Sequence, residues 1–171
     1  MDFGYDEDAS KIQDLLKRFM KQHVLPRNSE WHKRTAAGEY PLDLLEPLKR
    51  QAREDGLWNL FLPDLRADQP GTAMSTLDYA PLAEIMGRLP WAAEVFNCSA
   101  PDSGNMELLQ RFADDGQRER WLTPLLEGGI RSCFAMSEPD VASSDATNIA
   151  TTFTRDGDDY LIDGRKWFIT G

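Results

Sequence analysis

Gly128-Gly129-Ile130-Arg131-Ser132-Cys133-Phe134-Ala135-Met136 is the stretch at which the chain changes its period. Paired glycines stop a helix, because they expose backbone and adopt conformations closed to other residues. Arg131 to Met136 then forms a short apolar run with no helical spacing. Upstream, apolar residues recur at three- and four-residue intervals; downstream, short β-type runs alternate with turn signals. The pattern predicts helices over residues 1–130 and strands over 131–171.

Working back from the glycines, Met106–Phe112 and Gln117–Leu126 read as helices, the second carrying Trp121, Leu122, Leu125 and Leu126. A helix is expected from about Ser75 to Gly87, with Leu77, Leu82, Ile85 and Met86 facing inward. Pro81 lies inside it and predicts a kink or a later start, since its ring clashes with the preceding turn. Leu57-Trp58-Asn59-Leu60-Phe61-Leu62-Pro63 is apolar and short, a buried connection rather than a surface loop. Before it, Pro41 opens a helix whose inner face is Leu44, Leu45, Leu48 and Ala52, with Gly56 as its stop. A polar loop is expected around Asn28 to Tyr40. Ile12, Leu15, Leu16, Phe19, Met20 and Val24 make the stripe of the first helix, which Asp8 or Ser10 would cap and Pro26 would end. His23 sits at the edge of that stripe and reads as a rim histidine.

Working forward, Ile149 to Arg155 is rich in Thr and Phe, and Asp156-Gly157 is a turn signal. Tyr160-Leu161-Ile162, the turn pair Asp163-Gly164, and Lys166-Trp167-Phe168-Ile169-Thr170 follow. Together they predict an antiparallel meander. Its last strand carries Trp167, Phe168 and Ile169 with no partner strand after it, and an open apolar edge invites pairing. The expectation is a truncated sheet, the alternative a partner chain that covers the edge.

With 171 residues the chain can form one large domain, or one domain and part of another. Its 41% apolar and 28% charged residues are those of an ordinary globular protein. A net charge of -10 repels a phosphate backbone, so nucleic acid is not an expected partner. A local phosphate site built from backbone N–H groups stays compatible with that charge. No apolar run reaches the roughly 20 residues of a membrane span. The acidic start, Met1 to Asp8, resembles neither a signal peptide nor a transit peptide, which makes a cytoplasmic location the expectation. Cys98 and Cys133 are too few and too far apart for a disulfide framework and are expected to be reduced and partly buried. His23 and His32 have no further ligand at metal spacing, so no metal site is expected.

No nucleotide-loop, nucleophile-elbow or paired-histidine motif is present. Asp156, Asp158, Asp159 and Asp163 do not follow the calcium-loop spacing and read as solvated turns. One segment is dense enough to bear chemistry: Cys133-Phe134-Ala135-Met136-Ser137-Glu138-Pro139-Asp140-Val141-Ala142-Ser143-Ser144-Asp145-Ala146-Thr147. A strand would bring Phe134, Met136 and Ser137 to one rim. The turn after it offers hydroxyls and small residues that let a ligand approach backbone N–H groups. That suits an aromatic, polyoxygenated ligand with phosphates, and a surface loop with capping serines has the same composition. The residues alone leave both readings open.

The segment resembles the acyl-CoA dehydrogenase signature, in which Met-Thr/Ser-Glu-Pro is followed by small residues and Ser-Asp. The run Asp158-Asp159-Tyr160-Leu161-Ile162-Asp163-Gly164-Arg165-Lys166-Trp167-Phe168-Ile169-Thr170-Gly171 resembles that family's next block at the expected distance. Gly56 to Pro63 and Asn97 to Asn105 are similar to the branch that includes long-chain and hydroxyacyl-CoA-handling members. The resemblance implies an α+β fold: an all-helical N-terminal domain over 1–130, then the first strands of a truncated antiparallel β-barrel-like domain over 131–171. It implies FAD as cofactor, an acyl-CoA substrate, a flavoprotein electron acceptor and a homo-oligomer.

Residue by residue, the resemblance sets Phe134, Met136 and Ser137 along the isoalloxazine ring, with the Ser137 hydroxyl at its pyrimidine end. Ser144 matches the position that contacts FAD phosphate and acyl-CoA. Phe168 and Thr170 match the aromatic-x-threonine pair at the flavin, Thr170 near the hydride-accepting nitrogen. The stretch between Pro139 and Asp145 is one residue longer than the common pattern and lacks its glycines, which leaves Ser143 and Ser144 as alternatives. The family's catalytic base is a glutamate of a C-terminal helical bundle, so Glu138 is expected to be structural and the chain alone inactive. The other readings are a non-catalytic assembly subunit, half of a split flavoenzyme, or a related oxidase.

Overall fold

The computed structural model describes Tyr5 and residues 7–169. Two compact units divide them, Met1–Ile130 and Arg131–Gly171.

The first unit is helical. Its first helix, α1 (Glu7–Phe19), runs into a π-turn over Met20–Val24 and a 3-10 turn over Leu25–Arg27. Helix α2 (Asn28–Ala36) follows directly. Pro26 therefore does not end the helical path, because the widened and then tightened turns around it absorb its missing donor and its bulk. Asp8 and Ser10 lie inside α1 rather than ahead of it. The loop expected over Asn28–Tyr40 is for the most part helix, and Trp31 is the residue that holds it. Trp31 is buried against Trp91, the rings stacked at 4.5 Å and 11°, and the Trp91 indole N–H donates to Asn28 Oδ1 at 3.0 Å.

Pro41 precedes α3 (Leu42–Glu54), which buries Leu45, Leu48 and Ala52 and leaves Leu44 half-buried. Gly56, at φ +74°, lets the Leu57 N–H return to Ala52 O at 2.8 Å, so the helix closes where glycine was expected to close it. Helix α4 (Thr76–Gly87) is capped by Ser75, whose Oγ accepts the Asp78 N–H, and it continues through Pro81. Leu77 is exposed, contrary to the inward placement expected of it, whereas Leu82, Ile85 and Met86 are buried. After α5 (Ala92–Val95) come α6 (Asp102–Phe112) and α7 (Asp115–Gln117). A second π-turn, Arg118–Leu122, leads from α7 into α8 (Thr123–Leu126).

One core gathers Leu16, Phe19, Leu45, Leu60, Leu82 and Phe96, and a smaller one gathers Leu62, Met106, Leu122 and Leu126. Between the two lies a buried polar knot. Asn59 Nδ2 donates to Pro70 O at 2.7 Å and Leu126 O at 2.9 Å, and Asn59 Oδ1 accepts from Asn97 Nδ2 at 2.7 Å. Asn97 Nδ2 also donates to Leu125 O at 3.0 Å, and the Trp58 indole to Leu126 O at 2.8 Å. These bonds satisfy the last carbonyls of α8, which no helical N–H can reach. Both asparagines take left-handed backbone, φ +50° and +53°, a region asparagine enters more readily than other residues with a Cβ. Cys98 is buried in this unit, and burial pushes its thiol up to about 12.

The second unit contains one hairpin, β1 (Thr152–Asp156) paired antiparallel with β2 (Asp159–Asp163). The register Phe153↔Ile162 and Arg155↔Tyr160 sets the aromatic residues on one face, where Phe153 and Tyr160 stack at 4.5 Å. Gly157, at φ +62°, makes the tight turn between them. Two expected strands are absent among the described residues: neither Arg131–Met136 nor 166–169 joins a ladder. Their patterns are strand-like, but a strand exists only where a neighbour accepts its hydrogen bonds. Cys133 is exposed, not partly buried as expected. Among the described residues no helix is long and apolar enough to cross a membrane.

Candidate functional site

Every residue that the resemblance places at a cofactor lies in the second unit, whose packing is inverted. Among its described residues no hydrophobic side chain is buried, and the buried side chains are Glu138 and Ser143. Burial of a carboxylate demands partners for its lone pairs, and Glu138 has them. Its Oε2 accepts the Ala150 N–H at 2.7 Å. Its Oε1 accepts the Thr151 N–H at 3.0 Å, the Thr151 hydroxyl, and Lys166 Nζ at 2.9 Å. The Glu138 N–H donates to Ser143 Oγ at 2.6 Å. The Thr151 hydroxyl, then the Lys166 ammonium and the Ala150 N–H, hold the carboxyl down at about 2, so Glu138 is ionised at neutral pH. All four donors to its carboxylate come from the second unit itself.

This cluster draws together two stretches that are distant in sequence. Lys166 Nζ also donates to Met136 O at 3.0 Å, and the Trp167 N–H donates to Ser137 O at 3.1 Å. Phe134-Ala135-Met136-Ser137 and Lys166-Trp167-Phe168-Ile169 are thus tied side by side without forming a ladder.

The expected site residues fall out as follows. Phe134 is 63% exposed and Phe168 83% exposed. Met136 and Ser137 are half-buried. Phe168 takes φ +50°, a left-handed conformation that costs an L-residue with a Cβ about 1–2 kcal/mol. Its ring meets Trp167 at 4.7 Å and 43°. Ser143 and Ser144 part company: Ser143 is buried and accepts from Glu138, whereas Ser144 is exposed. Thr170 lies outside the described residues. Asp145 caps the next turn, its carboxylate lowered by the Thr147 hydroxyl and N–H.

By residue type, two exposed Phe rings, a half-buried Met and a hydroxyl at Ser137 are compatible with a flat heteroaromatic ligand. Lys166 and Thr151 had no role in the expectations. The signal that could have found Lys166 was the cation pair Arg165-Lys166 ahead of the apolar run Trp167-Phe168-Ile169, opposite an acid in the other block.

Comparison with known proteins shows the family. Residues 6–129 match the family model "Acyl-CoA dehydrogenase, N-terminal domain", and residues 133–171 match "Acyl-CoA dehydrogenase, middle domain". The chain is 49% identical to acyl-CoA dehydrogenase family member 11 of Gallus gallus, over 95% of this chain and 21% of that protein. It is 46% identical to acyl-CoA dehydrogenase family member 10 of Mus musculus, over 98% of this chain and 16% of the relative. A solved Mycobacterium abscessus structure of acyl-CoA dehydrogenase type superposes with a TM-score of 0.85 at 46% identity, over 98% of this chain and 43% of that one. The chain spans less than half the length of each of these relatives. On its two family-model matches and its similarity to these relatives, the chain belongs to the acyl-CoA dehydrogenase family.

Proposed function

We propose that residues 1–130 form the helical domain, and residues 131–171 the first flavin-facing part of the middle domain, of an FAD-dependent acyl-CoA dehydrogenase. The reaction is α,β-dehydrogenation of an acyl-CoA thioester, with electrons passed on to a flavoprotein acceptor within a homo-oligomeric enzyme. The observation that carries the reading is the side-by-side tie between Phe134–Ser137 and Lys166–Ile169, which leaves Phe134 and Phe168 open.

FAD, when bound, supplies the acceptor for hydride from the substrate β-carbon. The chain's own part is to bind and orient. Phe134, Met136 and Phe168 would hold the ring and keep water from it. The Ser137 hydroxyl would serve as a donor to the pyrimidine end, and a fixed donor there would favour the reduced form. Ser144, which is exposed where Ser143 is buried, would reach phosphate and the acyl-CoA. The helical unit forms one wall of the acyl tunnel. The base that removes the α-proton belongs, by resemblance, to a helical bundle outside residues 1–171.

The absence of any buried hydrophobic residue among those described in the second unit also favours a second reading. In it the chain is one half of a split flavoenzyme, or an assembly subunit whose apolar surface a companion chain covers.

The visible spectrum of the chain, mixed with FAD and passed through gel filtration, tests the proposal together with an acyl-CoA-dependent dye-reduction assay. The expected result is no co-eluting yellow band and no turnover. A retained flavin band would show that this chain alone completes the flavin site, and measurable turnover would overturn the assignment of the base elsewhere.

A further inference from the structure

We infer that Glu138, Thr151 and Lys166 form a positioning clasp that sets the register of the two open runs, Phe134–Ser137 and Trp167–Ile169. That those runs face a flavin rests on the function proposed above; the clasp itself rests on geometry. Its buried carboxylate takes donors from both sides, the Ala150 and Thr151 amides and the Thr151 hydroxyl at the start of the hairpin, and Lys166 after its end. Lys166 then spends a further N–H on Met136 O, in the first run. One ammonium group therefore touches the first run and the carboxylate that anchors the hairpin, while standing directly ahead of the second run in sequence.

A steric requirement reinforces the clasp. A Cβ on Gly164 would lie 2.2 Å from Thr151 Oγ1 and 2.8 Å from Thr151 Cα. Only glycine lets the strand exit pass so close to the residue that binds Glu138. Any side chain there displaces Thr151, and with it two of the carboxylate's donors.

The inter-run bond from the Trp167 N–H to Ser137 O does not involve Glu138. It therefore reports on coupling rather than on loss of a direct partner. The test is amide hydrogen exchange of the 171-residue chain by NMR, on the parent and on Glu138→Gln, Thr151→Val, Gly164→Ala, Lys166→Met and Lys166→Arg. Glu138→Gln, Gly164→Ala and Lys166→Met are expected to speed exchange at Trp167 roughly tenfold, the size that follows from losing one charge-assisted hydrogen bond. Lys166→Arg keeps a cation with several donors and is expected to stay within about threefold of the parent.

Faster exchange at Ala150 and Thr151 with Trp167 unchanged would overturn the clasp and leave Glu138 a local staple of the hairpin entrance. Where Glu138→Gln unravels the hairpin as well, Thr151→Val decides: it removes only the hydroxyl, and an unchanged Trp167 rate overturns the clasp. A second arm adds millimolar FAD. Shifts at 134–137 and 167–169 in the parent that vanish in Lys166→Met and return in Lys166→Arg support the positioning role. If FAD shifts nothing in the parent while the exchange coupling holds, the flavin reading fails and the clasp stands.

Discussion

Asn59→Leu is expected to cost the helical unit about 4 kcal/mol and to lower its Tm by about 15 °C. Asn59 is fully buried, and its amide makes three hydrogen bonds, to Pro70 O, to Leu126 O and with Asn97. A leucine of similar volume fills the space but leaves those partners short. Each buried polar group stripped of its bond costs about 1–3 kcal/mol. Leu126 O keeps the Trp58 indole and Asn97 keeps Leu125 O, so the full sum is not reached. The backbone adds its own term, because leucine at φ +50° carries about 1–2 kcal/mol that asparagine largely avoids. Chemical denaturation followed by helical circular dichroism measures the total. A loss under about 1 kcal/mol would show that the knot is not what ties α8 to the rest of the unit.

Acid is expected to open the second unit through Glu138. Its carboxyl is depressed from an ordinary 4.5 to about 2, first by the Thr151 hydroxyl and then by Lys166. A group with a lowered folded-state value binds protons more readily once unfolded. Its stabilising contribution is therefore complete above about pH 4.5, shrinks as the pH falls through that value, and is gone near pH 2. Carboxyl NMR should find one glutamate titrating near 2. Over the same window the Ala150 and Thr151 amides should move toward their unfolded positions. Glu138→Gln should abolish this acid transition in the second unit, since a carboxamide does not titrate. A Glu138 midpoint near 4.5 would mean that the four donors do not hold the carboxylate.

The sequence-level reading and the structure agree best where the physics is local. The stripe from Ile12 to Val24, the Gly56 stop and the Asp156-Gly157 turn are each decided by a few neighbouring residues, and each is where it was expected. Proline misled at Pro26, because whether it ends a helix depends on whether adjoining turns can absorb it, and Pro81 does not delay the start of α4, which begins at Thr76. Helix α2 escaped notice because it carries no apolar stripe; one residue, Trp31, holds it against Trp91, sixty positions along the chain. Asn59 sat in a run correctly read as buried, yet its partners Asn97 and Leu126 are visible only in three dimensions.

The α+β class was legible from the change of period at Gly128-Gly129, and the family from the two quoted blocks. The third strand expected from the run Lys166-Trp167-Phe168-Ile169 does not form among the described residues, since alternation specifies a strand only when a neighbour stands beside it. Of the expected site residues, Phe134 and Phe168 are open and Ser137 is tied to the second run through its carbonyl. The links that bring the runs together, Glu138 to Lys166 and Thr151, span 28 and 13 positions and leave no periodic trace.

The most direct test of the central claim, that the open face of the second unit is a flavin surface, is two-dimensional amide NMR of the chain titrated with FAD. The account predicts weak binding, with a Kd on the order of 1 mM, since only one face of the ring is covered. Shifts should be confined to residues 134–137, Ser144 and 167–169. Shifts centred on the helical unit, or none up to several millimolar, would contradict it.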